Sequence, residues 1–232
     1  MLNFTTSKLW IVGDTHGAIQ DIAFLDKKGK QEGIKLILQV GDYGVRWDWA
    51  CDRYFQKRAW QKQNSPIWIT VGGNHENYAN WQELQRLQSF PELVELWPNV
   101  YWAPRPTLME INDEKFLLMG GANSIDRHLR VEERDWWSYE QPTAQEMNNF
   151  FSMLNDDKPD IVVTHEAPSS IHFGPSKRLS HTAIDLDNII NHTDHMPKVW
   201  YYGHHHHMET MEIGDTDFTC CGIGKHYVVY GD

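Results

Sequence analysis

The sequence predicts an α/β fold built on a mixed, partly parallel β-sheet. Three observations lead there. Five short apolar runs recur along the chain, each closing on a polar cluster. Helix-like stretches lie between several of them. The C-terminal region instead carries strand-like runs with no helix between. Strands alternating with helices imply parallel pairing, and the tail adds hairpins.

The first run, Leu9-Trp10-Ile11-Val12, precedes Gly13-Asp14-Thr15-His16-Gly17. The second, Leu36-Ile37-Leu38-Gln39-Val40, precedes Gly41-Asp42-Tyr43-Gly44. The third, Ile67-Trp68-Ile69-Thr70-Val71, precedes Gly72-Gly73-Asn74-His75-Glu76. Ile161-Val162-Val163 leads into Thr164-His165-Glu166, and Val199-Trp200-Tyr201-Tyr202 into Gly203-His204-His205-His206-His207. Such near-continuous apolar runs suit strands buried on both faces. Helices are expected over 47–62, 77–88 and 143–155. The last has a capping box, Thr143 with Glu146, and then Met147, Phe150, Phe151 and Leu154 at helical spacing. Residues 107–119 read as a hairpin turning at Asn112-Asp113. Residues 208–230 read as strands around Gly214-Asp215 and Gly222-Ile223-Gly224. The sheet is therefore mixed, and two packed sheets fit the pattern. With 232 residues, no repeat and no low-complexity linker, one domain over 1–232 is expected.

Composition excludes several classes. There are 21 Lys and Arg against 32 Asp and Glu, a net charge of −11, with 13 His besides. That balance argues against nonspecific nucleic-acid binding, which needs a basic patch. Apolar residues at 41% and aromatics at 12% exclude a disordered acidic chain. The apolar runs are too short to span a bilayer. Residues 1–7 leave no room for a signal peptide before the first strand. Cys51, Cys220 and Cys221 are too few and too oddly placed for a disulfide framework. A cytoplasmic protein of a reducing compartment is expected.

In open α/β sheets ligands bind beyond the carboxyl ends of strands, where all five clusters lie. They offer Asp14, His16, Asp42, Asn74, His75, His165, His204 and His206. Carboxylates and imidazoles together suit Mn, Fe or Zn. Asp14 and His16 are two apart, so an extended segment would aim both the same way, and His204 and His206 repeat that spacing. One carboxylate can bridge two metals that clamp an in-line displacement at phosphorus.

The ordered set Asp-x-His (Asp14, His16), Gly-Asp (Gly41, Asp42), Gly-Asn-His-Glu (Gly73 to Glu76), a later His (His165) and Gly-His-x-His (Gly203, His204, His206) resembles the calcineurin-like metallophosphoesterase superfamily. These are dimetal phosphatases and phosphodiesterases related to the Ser/Thr protein phosphatases. The resemblance implies a four-layer α/β/β/α sandwich of two mixed sheets flanked by helices. It implies that Asp14, His16 and His206 hold one metal. Asn74, His165 and His204 hold the other, and Asp42 bridges both. A hydroxide shared by the metals would attack phosphorus, and His75 would stabilise the transition state or donate a proton.

One position departs from the protein-phosphatase pattern. Gly-Asp-x-x-Asp-Arg reads here Gly41-Asp42-Tyr43-Gly44-Val45-Arg46. The Asp that orients the active-site His is replaced by Val45, which weighs against protein substrates. Arg46 keeps its donors for phosphate oxygens. Glu76, Asp48 or Asp126 are the candidates to orient His75. The stretch Gly120-Gly121-Ala122-Asn123-Ser124, with Arg127 and Arg130 after it, resembles the pocket mouth of small bacterial and phage members. Arg127 and Arg130 are the expected substrate contacts, with Asn74 and Arg46. Trp136 and Trp137 are candidates for an apolar wall or a base-stacking surface. If 204–207 is extended, His205 and His207 face away from the ligands. His192 and His195 read as loop residues.

The expected function is phosphatase hydrolysis of a small phosphorylated molecule, a nucleotide or a phosphoprotein. The alternatives are a phosphodiesterase or dinucleotide polyphosphate hydrolase, and a metal-binding interaction module without catalysis. Acidic net charge does not oppose an anionic substrate, because two divalent ions would add about four positive charges at the site.

Overall fold

A computed structural model describes residues 1–44, 53–57, 65–171 and 180–230. Among the described residues thirteen strands, β1 (Leu2–Phe4), β2 (Leu9–Val12), β3 (Leu36–Gln39), β4 (Ile67–Thr70), β5 (Val94–Trp97), β6 (Val100–Trp102), β7 (Thr107–Ile111), β8 (Glu114–Met119), β9 (Ile161–Thr164), β10 (Val199–Tyr202), β11 (Glu209–Ile213), β12 (Thr216–Cys220) and β13 (His226–Tyr230), form two sheets. The six-stranded sheet runs β13-β2-β3-β4-β6-β5, parallel through β2, β3, β4 and β6 with antiparallel edges. The seven-stranded sheet runs β1-β7-β8-β9-β10-β12-β11, parallel from β8 through β12. Both sheets are mixed, as expected.

Period-two alternation assembles the layers. Leu9 and Ile11 of β2 and Leu36 and Leu38 of β3 point inward, onto Met109, Phe116, Leu118, Ile161 and Val163 of the other sheet. Trp10, Val12, Ile37 and Trp68 point outward, under α1 (Ile19–Glu32) and α2 (Tyr78–Leu87) through Ile22, Leu25 and Trp81. Leu117, Val162 and Trp200 on the outer face of the second sheet meet Phe150 and Leu154 of α3 (Ala144–Asp156) and Leu186 and Ile189 of α4 (His181–His192). The result is the expected α/β/β/α sandwich.

Local chemistry explains the element ends. Thr143 and Glu146 form the reciprocal capping box that starts α3. Asn77 caps α2 by accepting from Asn80 N at 3.2 Å. The β7–β8 hairpin turns at Asn112 and Asp113 with φ of +52° and +65°, the two left-handed residues that a type I′ turn needs. Two helices escape the sequence reading. The buried stripe of α1 is Ile22, Leu25, Asp26 and Gly29, and that of α4 is Thr182, Ala183, Leu186 and Ile189. Polar and small residues interrupt both stripes. His192 ends α4 rather than lying in a loop. Residues 53–57 are helical, and the rest of the helix expected over 47–62 lies outside the described residues. No helix among the described residues is long and apolar enough to cross a membrane.

Trp200 anchors the outer layer of the second sheet. Its ring stacks on Phe218 at 5.6 Å and meets Phe150 edge-on at 6.0 Å, while Nε1 donates to Thr164 Oγ1 at 2.9 Å. Trp200→Ala should cost about 3–5 kcal/mol through the cavity it leaves. Denaturant unfolding would show this as a lowered midpoint. A change below about 1 kcal/mol would mean that this layer is not closely packed.

Candidate active site

The parallel strands β2, β3 and β4 of one sheet and β8, β9 and β10 of the other deliver loops from their carboxyl ends. There, ligand atoms of Asp14, His16, Asp42 and His206 all lie within 4.8 Å of one another, and those of Asp42, His165 and His204 form a second group. Asp42 belongs to both. His206 Nε2 is 3.1 Å from Asp14 Oδ2, and His16 Nδ1 is 3.8 Å from Asp42 Oδ2. His165 Nε2 is 3.5 Å from Asp42 Oδ1 and 3.1 Å from Asn74 Oδ1.

The floor is buried and the rim is open. Asp14, Asp42 and His165 are fully buried, whereas the side chains of His16 and His206 are 30% and 44% exposed. Two glycines make the convergence possible. A Cβ on Gly73 would collide with Asp42 Oδ1 and His165 Nε2, and one on Gly203 with Asp14 Oδ1.

The ligand segments are not extended. His16, Asp42, His204 and His206 have φ of +46°, +54°, +63° and +61°. Left-handed turns, not strand alternation, aim Asp14 with His16 and His204 with His206. Non-glycine residues adopt this conformation at a cost, and it concentrates at functional sites. His205 and His207 still turn away from the ligand groups. His205 Nε2 pairs with Glu166 Oε1 at 3.0 Å, and His207 Nδ1 lies 2.9 Å from the His205 carbonyl.

The charge distribution fits cations. Burial raises the Asp42 carboxyl, but His165, then His75 and His16, hold it far below the usual carboxylate range. Burial lowers His165, and the adjacent Asp42 more than reverses this, taking it to about 10. Asp42 Oδ2 is nevertheless buried with no hydrogen-bond partner among the described residues. His165 Nδ1 lies 2.8 Å from the Val40 carbonyl, so one ring proton sits there, and Nε2 faces the cluster, where loss of the second proton frees it to act as a ligand. Four imidazoles, two carboxylates and an amide oxygen suit two transition or divalent ions.

Two carboxylates brace the loops: Glu76, expected only as a partner for His75, and Glu166, which the sequence reading did not single out. Glu76 accepts from the backbone N–H groups of Tyr43 at 2.7 Å and Gly44 at 3.1 Å, tying the third cluster to the second. Burial, then the Asp42 charge, raises its pKa to about 8. Glu166 lies 3.7 Å from His204 Nε2 and accepts from Ser180 Oγ at 2.8 Å. Burial pushes Glu166 up, but His204 and His205 bring it down to about 2. Thr164-His165-Glu166 displays that residue in sequence, but nothing there shows what it faces.

Among the described residues, Arg130 is the side chain that meets the His75 ring nitrogen. Glu76 is committed to the backbone, and Asp48 lies outside the described residues. Arg130 Nη1 lies 3.1 Å from His75 Nδ1, while its Nη2 donates to Asp126 Oδ2 at 2.8 Å. Asp126 is linked to His75 through Arg130, and the two also interact electrostatically. A guanidinium only donates, so Nδ1 must accept and the imidazole proton sits on Nε2. Burial, with the Arg130 charge acting in the same direction, lowers the His75 pKa. Arg130, expected as a substrate contact, lies against His75. Arg127 is exposed on a short turn over Arg127–Leu129. Trp137 is buried in the helix-covered core, so it offers no face for base stacking. Arg46 and Val45 lie outside the described residues.

The family model for calcineurin-like phosphoesterases matches residues 7–208. The chain belongs to this family. It is therefore a metallophosphoesterase, a phosphoric ester hydrolase by class. Similar solved structures share the fold at low identity. TT1561 of Thermus thermophilus has a TM-score of 0.59 at 13% identity, covering 97% of this chain and 98% of that one. GAP50, the anchor in the inner membrane complex of Plasmodium, has a TM-score of 0.55 at 17% identity over 94% of this chain and 71% of that one. No curated protein is a significant sequence match.

Metal loading of this phosphoesterase should depend on pH. With a pKa of about 10, His165 carries a proton at neutral pH that a cation must displace. Affinity should therefore rise with pH, by roughly tenfold per unit for each proton released. Calorimetric titration in buffers of different ionisation enthalpy would detect the proton. Heats and affinities independent of buffer and pH would contradict the protonated state.

Proposed function

We propose that this phosphoesterase is a dimetal phosphatase acting on a small phosphorylated molecule or nucleotide. Asp14, His16 and His206 would hold one ion, Asn74, His165 and His204 the other, and Asp42 both. The carrying observation is Asp42, a member of both ligand groups with one buried oxygen that lacks a partner among the described residues. The donor set suits Mn, Fe or Zn. Bound together, such ions supply a water of lowered pKa and positive charge at the phosphoryl oxygens.

The chain's own residues do the rest. The buried floor of Asp14, Asp42 and His165 keeps the ligands in a low-dielectric pocket, where charge acts strongly. His75, protonated on Nε2, presents a hydrogen-bond donor beside the cluster, with its ring 5.3 Å from that of His16. We assign it to stabilising charge on the phosphoryl or leaving-group oxygen, as a neutral donor rather than an acid. Arg130 holds that tautomer. Arg46, Arg127 and Arg130, with Asn74, are the candidates for reaching the substrate. We also take 1–232 as one domain and, from three sparse cysteines, expect it in a reducing compartment such as the cytoplasm.

Three experiments test this. Asp42→Asn should abolish turnover and reduce metal content below two equivalents. Full occupancy with full activity would remove Asp42 as the bridge. His75→Ala should keep both metals and lose about 10²–10³ in kcat, the loss typical of one transition-state donor. Wild-type protein reconstituted with Mn, Zn or Fe should cleave an aryl phosphate faster than an aryl phosphodiester. The reverse order would make it a phosphodiesterase. Metal binding without turnover of either substrate would leave the interaction module.

A further inference from the structure

The loop after β8 approaches the Asn74 loop closely. A Cβ on Gly120 would collide with the Val71 carbonyl, and Gly121 N donates to Gly72 O at 3.0 Å. This contact brings Ser124 to Asn74. Asn74 Nδ2 donates to Ser124 Oγ at 3.2 Å. Ser124 Oγ donates to Glu140 Oε2 at 2.7 Å, and Ser124 N to Glu140 Oε1 at 2.6 Å. Asn74, Ser124 and Glu140 are 6%, 3% and 1% exposed, so little water competes. Arg105 fixes the far end, donating to the Glu140 carbonyl at 3.2 Å and the Tyr139 carbonyl at 2.7 Å.

The polarity of this hydrogen-bond chain runs one way. A carboxylate only accepts, so the single Ser124 hydroxyl hydrogen goes to Glu140. Ser124 Oγ then has only lone pairs for Asn74, which must offer its NH2. The amide oxygen is left facing His165 and the cluster, where only an oxygen can ligate a cation. The flipped amide would oppose two acceptors at Ser124 and aim an NH2 into the metal pocket. Burial raises the Glu140 carboxyl, and the donors of Ser124 and Trp136 and the Arg130 charge offset this only in part.

We infer that Ser124 and Glu140 are positioning residues that fix the Asn74 amide with its oxygen toward the second metal position. The inference rests on Asn74 being a ligand there. Glu140→Gln tests it. The new amide oxygen must accept from Ser124 N, so the new NH2 meets Ser124 Oγ and frees the hydroxyl hydrogen for Asn74. That allows the hydrogen-bond chain to reverse, with the Asn74 NH2 turned toward the pocket.

Calorimetric titration with Mn²⁺ should find two equivalents on the wild type. On Glu140→Gln the second should weaken by about 10–100-fold, the usual loss for an outer partner of a ligand, with the first unchanged. Ser124→Ala removes the acceptor without reversing polarity, so its second-site loss should be smaller. It also keeps the test readable if the Glu140→Gln variant unfolds. Ser124→Thr should retain wild-type affinity. Two wild-type-strength equivalents on both Glu140→Gln and Ser124→Ala would overturn the inference, as would equal weakening of both equivalents. One equivalent on the wild type would instead overturn the two-metal reading, and this inference with it.

Discussion

The structure depends on keeping the Asp42 carboxylate charged in a fully buried position. An unpaired carboxylate there would cost several kcal/mol. Here three imidazoles surround it, and His75 N donates to Oδ1 at 2.7 Å. Only Oδ2 remains without a hydrogen bond among the described residues. Asp14 adds a second buried carboxylate, held by the His204 backbone N–H. Two buried anions among imidazoles form a pocket whose missing charge is positive. The calcineurin-like phosphoesterase family fills such a pocket with metal.

Holding these charges together constrains the backbone. Six parallel strands from two sheets must end at one place, and their loops must turn sharply to face each other. Gly73 and Gly203 remove the atoms that would otherwise occupy ligand positions. Left-handed backbone at His16, Asp42, His204 and His206 aims the side chains. The layers beneath these turns are closely packed. Trp10, Trp68 and Trp200 are each essentially fully buried against the helices.

Around the ligands lies a ring of groups that decide orientation. Arg130 selects the tautomer of His75, Ser124 and Glu140 the face of Asn74, and the Val40 carbonyl the tautomer of His165. Glu166 lies beside His204. Each acts through the direction of a hydrogen bond rather than through bulk. Among the described residues the group at the His75 ring nitrogen is the Arg130 guanidinium, where the resemblance to protein phosphatases implied an Asp. A carboxylate partner favours an imidazolium, whereas a guanidinium partner favours the neutral ring.

The sequence by itself determined the donor set and the scaffold. Apolar runs closing on Asp14, Asp42, Asn74, His165 and His204 are local facts, because strand burial and ligand chemistry are written in neighbouring residues. The capping box of α3 and the turn at Asn112-Asp113 are legible for the same reason. Helices α1 and α4 were not, since polar residues interrupt their buried stripes and only packing against the sheets completes them. Extended geometry between Asp14 and His16 was wrong, because backbone φ there answers to the opposing loops. Only the tertiary structure decided what faces His75, Asn74 and His204. Arg130 is 55 residues from His75, and Ser124 is 50 from Asn74. Hydrogen-bond polarity between such residues exists only once the sheets have brought them together.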